Sequence, residues 1–419
     1  MKTLIALLAV MNCLAAVALA ADKQTLNVLD FGAKGDGVTK DTAAIQKALD
    51  ACGDNGGGTV LVPEGIFLTG SLMLRANTTL QLASRSDLLG SPDIADYPME
   101  TVRWEGEFRE GHRALLCATN AANITISGGA IFGPPLPLGK LRNPRGPLLI
   151  ELTGCTNTVL ENFTTQYQQL WSIHVLFCKD LTASNLTIRT VNANGDGIDV
   201  DSCDGVLIDR CDINTGDDAI SLKSGRGLAA QNLSRPTQNV VIRNCRLQSS
   251  IFAALGFGTE ISGGIRNVKI QDCVLSGRQN AIFIKSREGR GGYMEDISGE
   301  NLVVLKSPTF VCIDLLKKGI QATDPVPGDV EKWPLVHNIS FKNVSVQDIA
   351  NLVDADNIPP DRPLDGFTLT DISGTCTRAI SIANMTNVVF SKIQLTGFNG
   401  PLITAENVKG SGLGESAAK

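Results

Sequence analysis

The chain of 419 residues has little of what most folds of that size rely on. Aromatic residues make up 5%, with three Trp and three Tyr, so the interior cannot be organised around large rings and must be filled by aliphatic side chains. Helical periodicity is nearly absent, which excludes bundles and α/β folds built on amphipathic helices. The only histidines are His112, His174 and His337, and no Cys-x-x-Cys pair occurs, so a His/Cys metal site is not expected. Net charge is −6 with both signs interspersed, which gives no footprint for nucleic acid. After the first twenty residues there is no run of about twenty apolar residues, so no membrane span is expected. Eleven cysteines over this length are too sparse for a disulfide framework. Cys203, Cys211, Cys245 and Cys273 fall near strand ends and read as buried thiols. One or two disulfides, for instance from Cys203 to a neighbour, stay open.

The first twenty residues, MKTLIALLAVMNCLAAVALA, set Lys2 ahead of an apolar run and end in Ala18-Leu19-Ala20. That is the layout of a secretory signal peptide cleaved near Ala20. Residues 1–20 are therefore set aside, and 21–419 are expected to form one exported domain, extracellular or periplasmic and monomeric. The one amphipathic helix is predicted at about 41–52, in "DTAAIQKALDAC", where Ile45, Ala48, Leu49 and Cys52 follow i, i+3, i+4, i+7 spacing and Asp41 stands as N-cap. The preceding "FGAKGDG" lacks dinucleotide-binding spacing and reads as a glycine-rich turn.

Everything after the helix repeats. "NITISGGAIFG" from Asn123, "DLTASNLTIRT" from Asp180, "GVLIDRCDINT" from Gly205, "NVVIRNCRLQS" from Asn239 and "NVKIQDCVLSG" from Asn267 share one plan. Each is a polar start, an alternating strand, a tight corner and a second strand, and most spacings are 23 to 34 residues. Val240, Ile242 and Leu247 form an inward set against outward Val241, Arg243 and Arg246. Such units bury a face only by stacking. The fold class predicted is all-β: a single-stranded right-handed parallel β-helix, a solenoid with the N-terminal helix capping its open end. Asn-x-Ser/Thr triplets at Asn123, Asn162, Asn185 and Asn338 recur because Asn and Thr suit rung corners.

Stacking gives the acidic residues their meaning. Laying "GIDVDS" over "AISLKS" one rung later puts Ser202 over Ser224 and Asp196 over Asp218. With rungs about 4.8 Å apart, Asp196, Asp217 and Asp218 converge, and at least one carboxyl should be harder to ionise than usual. A protonated carboxyl beside ionised ones is what acid–base cleavage of a glycosidic bond needs. Asp199 and Asp201 read instead as Asx-turn residues that accept backbone N–H groups at a rung corner.

In these blocks the chain resembles the polygalacturonase-type glycoside hydrolases, family 28, right-handed β-helix enzymes acting on pectin. "NGDGIDVDSC", "TGDDAISLKSG", "GTEISGGIRNV" and "IFIKSREGRGGY" carry the resemblance, with the opening "LNVLDFGAKGDGVTKDTAAIQKALDAC". It implies that Asp217 is the general acid and that Asp196 and Asp218 activate the water. It also implies inversion, with roughly 6.5–9.5 Å between acid and base, and Asn194 orienting a carboxylate. Gly195 stands where the family has Thr. Two departures are larger: Phe252 occupies the position of the family's His, and Phe283 that of its Arg, so of Arg-Ile-Lys only Lys285 survives. The exchange trades polar contacts for aromatic surface, as a 6-deoxy sugar such as rhamnose would favour. Lys285, Arg287 and Arg290 are candidates for gripping a carboxylate.

The expected activity is inverting hydrolysis of α-galacturonide links in a pectic polysaccharide or oligogalacturonide, without metal or other cofactor. The insertions at 94–115 and 225–238 point to exo action. Rhamnogalacturonan hydrolysis or galacturonohydrolysis is the alternative within the family. A Ca²⁺-dependent, pectate-lyase-like enzyme and an inactive carbohydrate-binding β-helix are the alternatives outside it.

Overall fold

The computed structural model describes residues 24–134, 143–168, 170–316 and 332–414. The proposed signal peptide lies outside them. No helix among the described residues is long and apolar enough to cross a membrane.

Each coil contributes one short strand to each of three parallel stacks. Asp204–Asp209, Thr237–Arg243 and Ile265–Gln271 follow one another in the first stack. Asp212–Thr215, Arg246–Ser249 and Val274–Gly277 do so in the second. Ile220–Lys223, Ala253–Phe257 and Asn280–Lys285 do so in the third. Parallel strands joined by crossovers take the right-handed path, and the result is a right-handed parallel β-helix. Alternation works as predicted: Val240, Ile242 and Leu247 are fully buried while Arg243 and Arg246 are exposed. In the third stack Ile198, Ile220, Leu255, Ile282 and Val311 lie in register along one inward row. Each is fully buried and contributes about 1.5–3 kcal/mol of hydrophobic stabilisation.

The cap is helix α1, Thr42–Asp54, which buries Ile45, Ala48, Leu49 and Cys52 over the first coils. Asp41 does not cap it by its side chain. Its buried carboxylate instead accepts the N–H groups of Lys34 (2.7 Å) and Gly35 (3.0 Å), and so ties the glycine-rich turn to the helix start. Gly35 has φ +63°, and a Cβ there would come within 2.7 Å of the Phe67 ring, so the turn tolerates only glycine.

Corner asparagines stack from coil to coil in the left-handed conformation. Asn157 Nδ2 donates to Asn123 at 2.6 Å and Asn123 Nδ2 to Asn77 at 2.7 Å. Several cysteines also stack, and no disulfide joins the ten described. The Cys178 N–H donates to Cys203 Sγ at 3.2 Å, and the Cys203 thiol donates to the Val175 carbonyl at 3.3 Å. The disulfide left open for Cys203 is therefore not formed, and these thiols serve as small core side chains.

Two insertions interrupt the coils. Residues Met99–Trp104 and Glu107–His112 form an antiparallel hairpin, and Gly227–Leu233 form helix α2. They meet at Arg226 and Glu107, whose side chains pair at 3.4 Å. The hairpin lies over the outward face of the early third-stack strands, where Val102, Arg103 and Phe108 face Glu151, Thr153 and Leu176.

Candidate active site

The turns leading into the third stack carry the acidic cluster. Ile198 pairs with Ile220 and Asp201 with Lys223, which sets Asp196 under Asp218 and Ser202 under Ser224, the register predicted. The Gly197 N–H seals it by donating to the Asp218 carbonyl at 3.0 Å. One carboxylate oxygen from each of Asp196, Asp217 and Asp218 lies within 4.8 Å of the others. These oxygen-to-oxygen distances fall below the roughly 6.5–9.5 Å expected between acid and base, because Asp217 and Asp218 are neighbours in the chain and Asp196 lies one coil away.

The three carboxyls differ in setting. Asp217 is the most exposed. Its two oxygens accept the N–H groups of Asn194 (2.8 Å) and Asp218 (2.9 Å). The Asn194 contact is made by its main chain, at φ +63°. Asp218, 2% exposed, accepts the Ala253 N–H at 3.1 Å and meets Lys285 Nζ at 2.8 Å. Asp196, 4% exposed, keeps Oδ1 buried without a hydrogen-bond partner among the described residues. Burial, then the charge of Asp218, raises the Asp217 pKa. Burial, then the charges of Asp199 and Asp217, raises that of Asp196 well above the usual carboxyl range. Carboxyls this close titrate as a unit and share protons.

Two glycines give the cluster room. A Cβ at Gly256 would come 2.3 Å from Asp218 Oδ2. One at Gly195 would meet Asn192 O at 2.7 Å and Thr190 Oγ1 at 2.9 Å, which accounts for glycine where the family has Thr.

Thr190 was missed in the sequence. Its buried hydroxyl accepts the Gly216 N–H at 2.8 Å and donates to the Gly195 carbonyl, joining the loop of Asp196 to the loop of Asp217. Arg189 pairs with Asn214 across coils, so Thr190 stacks under Thr215, whose own hydroxyl donates to the Asp217 carbonyl at 2.7 Å. A hydroxyl recurring at one rung position was the available signal.

Asp199 and Asp201 are not turn residues. They sit on the strand Ile198–Asp201 with their carboxylates buried on the outward face. Asp199 pairs with Lys223 Nζ at 2.6 Å, and Lys223 lies 3.7 Å over the Trp171 ring. Asp201 pairs with hairpin Arg103 at 3.3 Å. His174 Nδ1 meets Glu151 at 3.0 Å, and Glu151 also pairs with Arg145 at 3.0 Å. Burial would raise the Glu151 pKa, but Arg145 and His174 overcome it and hold it at about 2. The partners sit one coil or a whole insertion away, which is why spacing along the chain did not reveal them.

The other expected substrate contacts are placed unevenly. Phe283 is buried on the outward row beside Gly256, with Lys285 Nζ 5.2 Å from its ring centre. Phe252 is half-buried at the preceding turn, its N–H bonded to Ser249 Oγ at 2.9 Å. Lys285 is committed to Asp218 rather than standing ready for a carboxylate. Arg290 is fully buried, and Arg287 nearly so. Arg290 lies close enough to Glu260 to help hold that carboxyl below its usual pKa, against burial and alongside Lys223. As for a metal, the three aspartates could offer one ligand atom each. Lys285 already supplies a positive charge at Asp218, so a hard cation would have to displace an ammonium at 2.8 Å.

Comparison with known proteins bears on the family and the fold. The family model described as glycosyl hydrolases family 28 matches residues 52–347. A probable polygalacturonase of Vitis vinifera is 29% identical over 376 residues, covering 85% of this chain and 75% of that protein. An exo-poly-alpha-D-galacturonosidase of Dickeya chrysanthemi is 26% identical over 450 residues, covering 92% and 74%. The crystal structure of a hyperthermoactive exopolygalacturonase from Thermotoga maritima superposes with a TM-score of 0.77, at 24% identity, over 88% of this chain and 92% of that one, a likeness of fold.

Proposed function

The chain belongs to glycosyl hydrolases family 28, and from that premise we propose that it hydrolyses α-galacturonide links in pectin from a chain end, with inversion, by the three aspartates. It is a glycosidase, and relatives named as polygalacturonases make pectin the substrate class. The observation that carries the catalytic reading is the convergence of Asp196, Asp217 and Asp218 with two of the three pKa values raised. Asp217, the most accessible and raised by burial, delivers its proton to the glycosidic oxygen. Asp218, held by the Ala253 N–H and Lys285, and Asp196 accept the proton of the attacking water.

Exo action follows from the hairpin and α2. The hairpin covers the outward face on the N-terminal side of the acidic cluster, and α2 flanks the hairpin, the two touching at Arg226 and Glu107. A polymer lying along the third stack can then extend only toward the C-terminal coils. A leader at residues 1–20 would deliver the enzyme outside the cell.

Replacing Asp217 by Asn tests the assignment: the fold persists and hydrolysis of polygalacturonate falls by at least a hundredfold, whereas unchanged turnover removes it. NMR of the first product gives the anomer, β for inversion, and the product ladder separates monomer release from internal cutting. A second reading, action on rhamnogalacturonan, is favoured by Phe283 lying beside Gly256 in the row that passes Asp218. Release of new reducing ends from rhamnogalacturonan but not from polygalacturonate would select it.

A further inference from the structure

Lys223 and Asp199 lie outside the acid–base trio, yet both sit on the outward face of the third stack within electrostatic reach of Asp196. Asp199 sits three residues after Asp196 on the same coil, and Lys223 sits five after Asp218 on the next. Neither is open to solvent: Asp199 is fully buried and Lys223 is 5% exposed. Lys223 Nζ is 2.6 Å from Asp199 and 3.7 Å from the centre of the Trp171 ring, so a neutral lysine is disfavoured there. The ammonium stays charged because Asp199, Glu260 and Asp196 outweigh its burial.

The two lysines of the region serve the acids unequally, and Lys285 acts on Asp217 and Asp196 as well as on Asp218. Lys285 is bound at 2.8 Å to Asp218. Asp196, whose Oδ1 finds no hydrogen bond among the described residues, draws compensating charge from Lys223 as well as from Lys285. Glu260, itself beside Arg290, flanks Lys223 from the following turn. His174 acts on Asp199 from the preceding coil, and Asp217 and Asp218 face Asp196 from the next. We propose that the buried Lys223–Asp199 pair is a positioning element for catalysis, which sets the proton affinity of Asp196 without touching the substrate. The inference rests on the reading of Asp196 as a base.

The pair acts on Asp196 with opposite signs. Asp199 makes its ionised form costlier, and Lys223 makes it cheaper. Removing Asp199's charge leaves the ammonium nearer to dominating, and Asp196 releases its proton at lower pH. Removing the ammonium does the reverse. A pair that merely braced the strand would give both variants the same defect.

The experiment is the pH profile of kcat/KM on polygalacturonate for Asp199→Asn and Lys223→Met, with Asp196→Asn alongside. Asp199→Asn moves the acid limb to lower pH and Lys223→Met moves it higher, each by about one unit, the shift a single charge a few ångströms away produces. Limbs that stay in place, or move the same way in both variants, overturn the proposal. If Lys223→Met does not fold, Asp199→Asn, nearly isosteric, decides alone: a downward limb supports the proposal, and a fixed or upward one refutes it. An Asp196→Asn enzyme that retains full activity would instead remove the base assignment, which keeps the two failures apart.

Discussion

Replacing Thr190 by Val removes one hydroxyl and keeps shape and volume, so its effect is that of two hydrogen bonds. The bonds lost are the one from Gly216 N–H at 2.8 Å and the one to the Gly195 carbonyl. Thr190 is buried, so water does not replace it, and each orphaned backbone group costs about 1–3 kcal/mol. Relaxation of both loops should bring the total to about 2–4 kcal/mol. The catalytic consequence is larger than the stability loss suggests, because these loops carry Asp196 and Asp217. A misplacement of about 1 Å between acid and base costs roughly a hundredfold in rate. Denaturant unfolding gives the first number and initial rates of reducing-end release at saturating substrate give the second. Thr190→Ser, which restores the hydroxyl, should return most of both. A Thr190→Val enzyme turning over at the native rate would show that the two loops hold their registration without this bridge.

Lys285→Met removes a charge that lowers the Asp217 pKa, so the alkaline limb of kcat/KM should move to higher pH even as the maximum rate falls; a limb moving down contradicts the acid assignment. Glu151→Gln addresses the buried network. Its folded pKa of about 2, against an ordinary 4.5, is worth about 3 kcal/mol. That stabilisation is present above pH ~4.5 and lost as pH falls toward 2. Urea unfolding should therefore find the native protein ahead of Glu151→Gln at pH 6 and the gap closing by pH 2, and a gap independent of pH would refute it.

The solenoid and its cap were legible because they rest on short-range repetition. Ile45, Ala48, Leu49 and Cys52 needed only a helical period, and Val240 and Ile242 only an alternation. The register of Asp196 on Asp218 followed from laying one rung on the next. What the sequence hid depends on contacts between coils or across an insertion. Asp201 meets an arginine of the hairpin, and Asp199 a lysine one coil on. Arg290 stood in the sequence as a candidate for gripping a carboxylate, yet it is fully buried and acts on the charge of Glu260. Asp41 satisfied a capping rule by position while its carboxylate went to the turn before it.

The hairpin is held from beneath by two guanidinium groups: Arg103 reaches down to Asp201, and Arg145, whose carbonyl accepts the His112 N–H at 2.7 Å, is bound to Glu151. A wall bolted in this way does not swing with each turnover. On the proposed exo reading the hairpin leaves the trough a single doorway, so incoming polymer and departing sugar would share one side and traffic between them would set the pace. Broadening the range of accepted chains would then take shortening of residues 99–112, since loosening a hinge would not open a wall that has none.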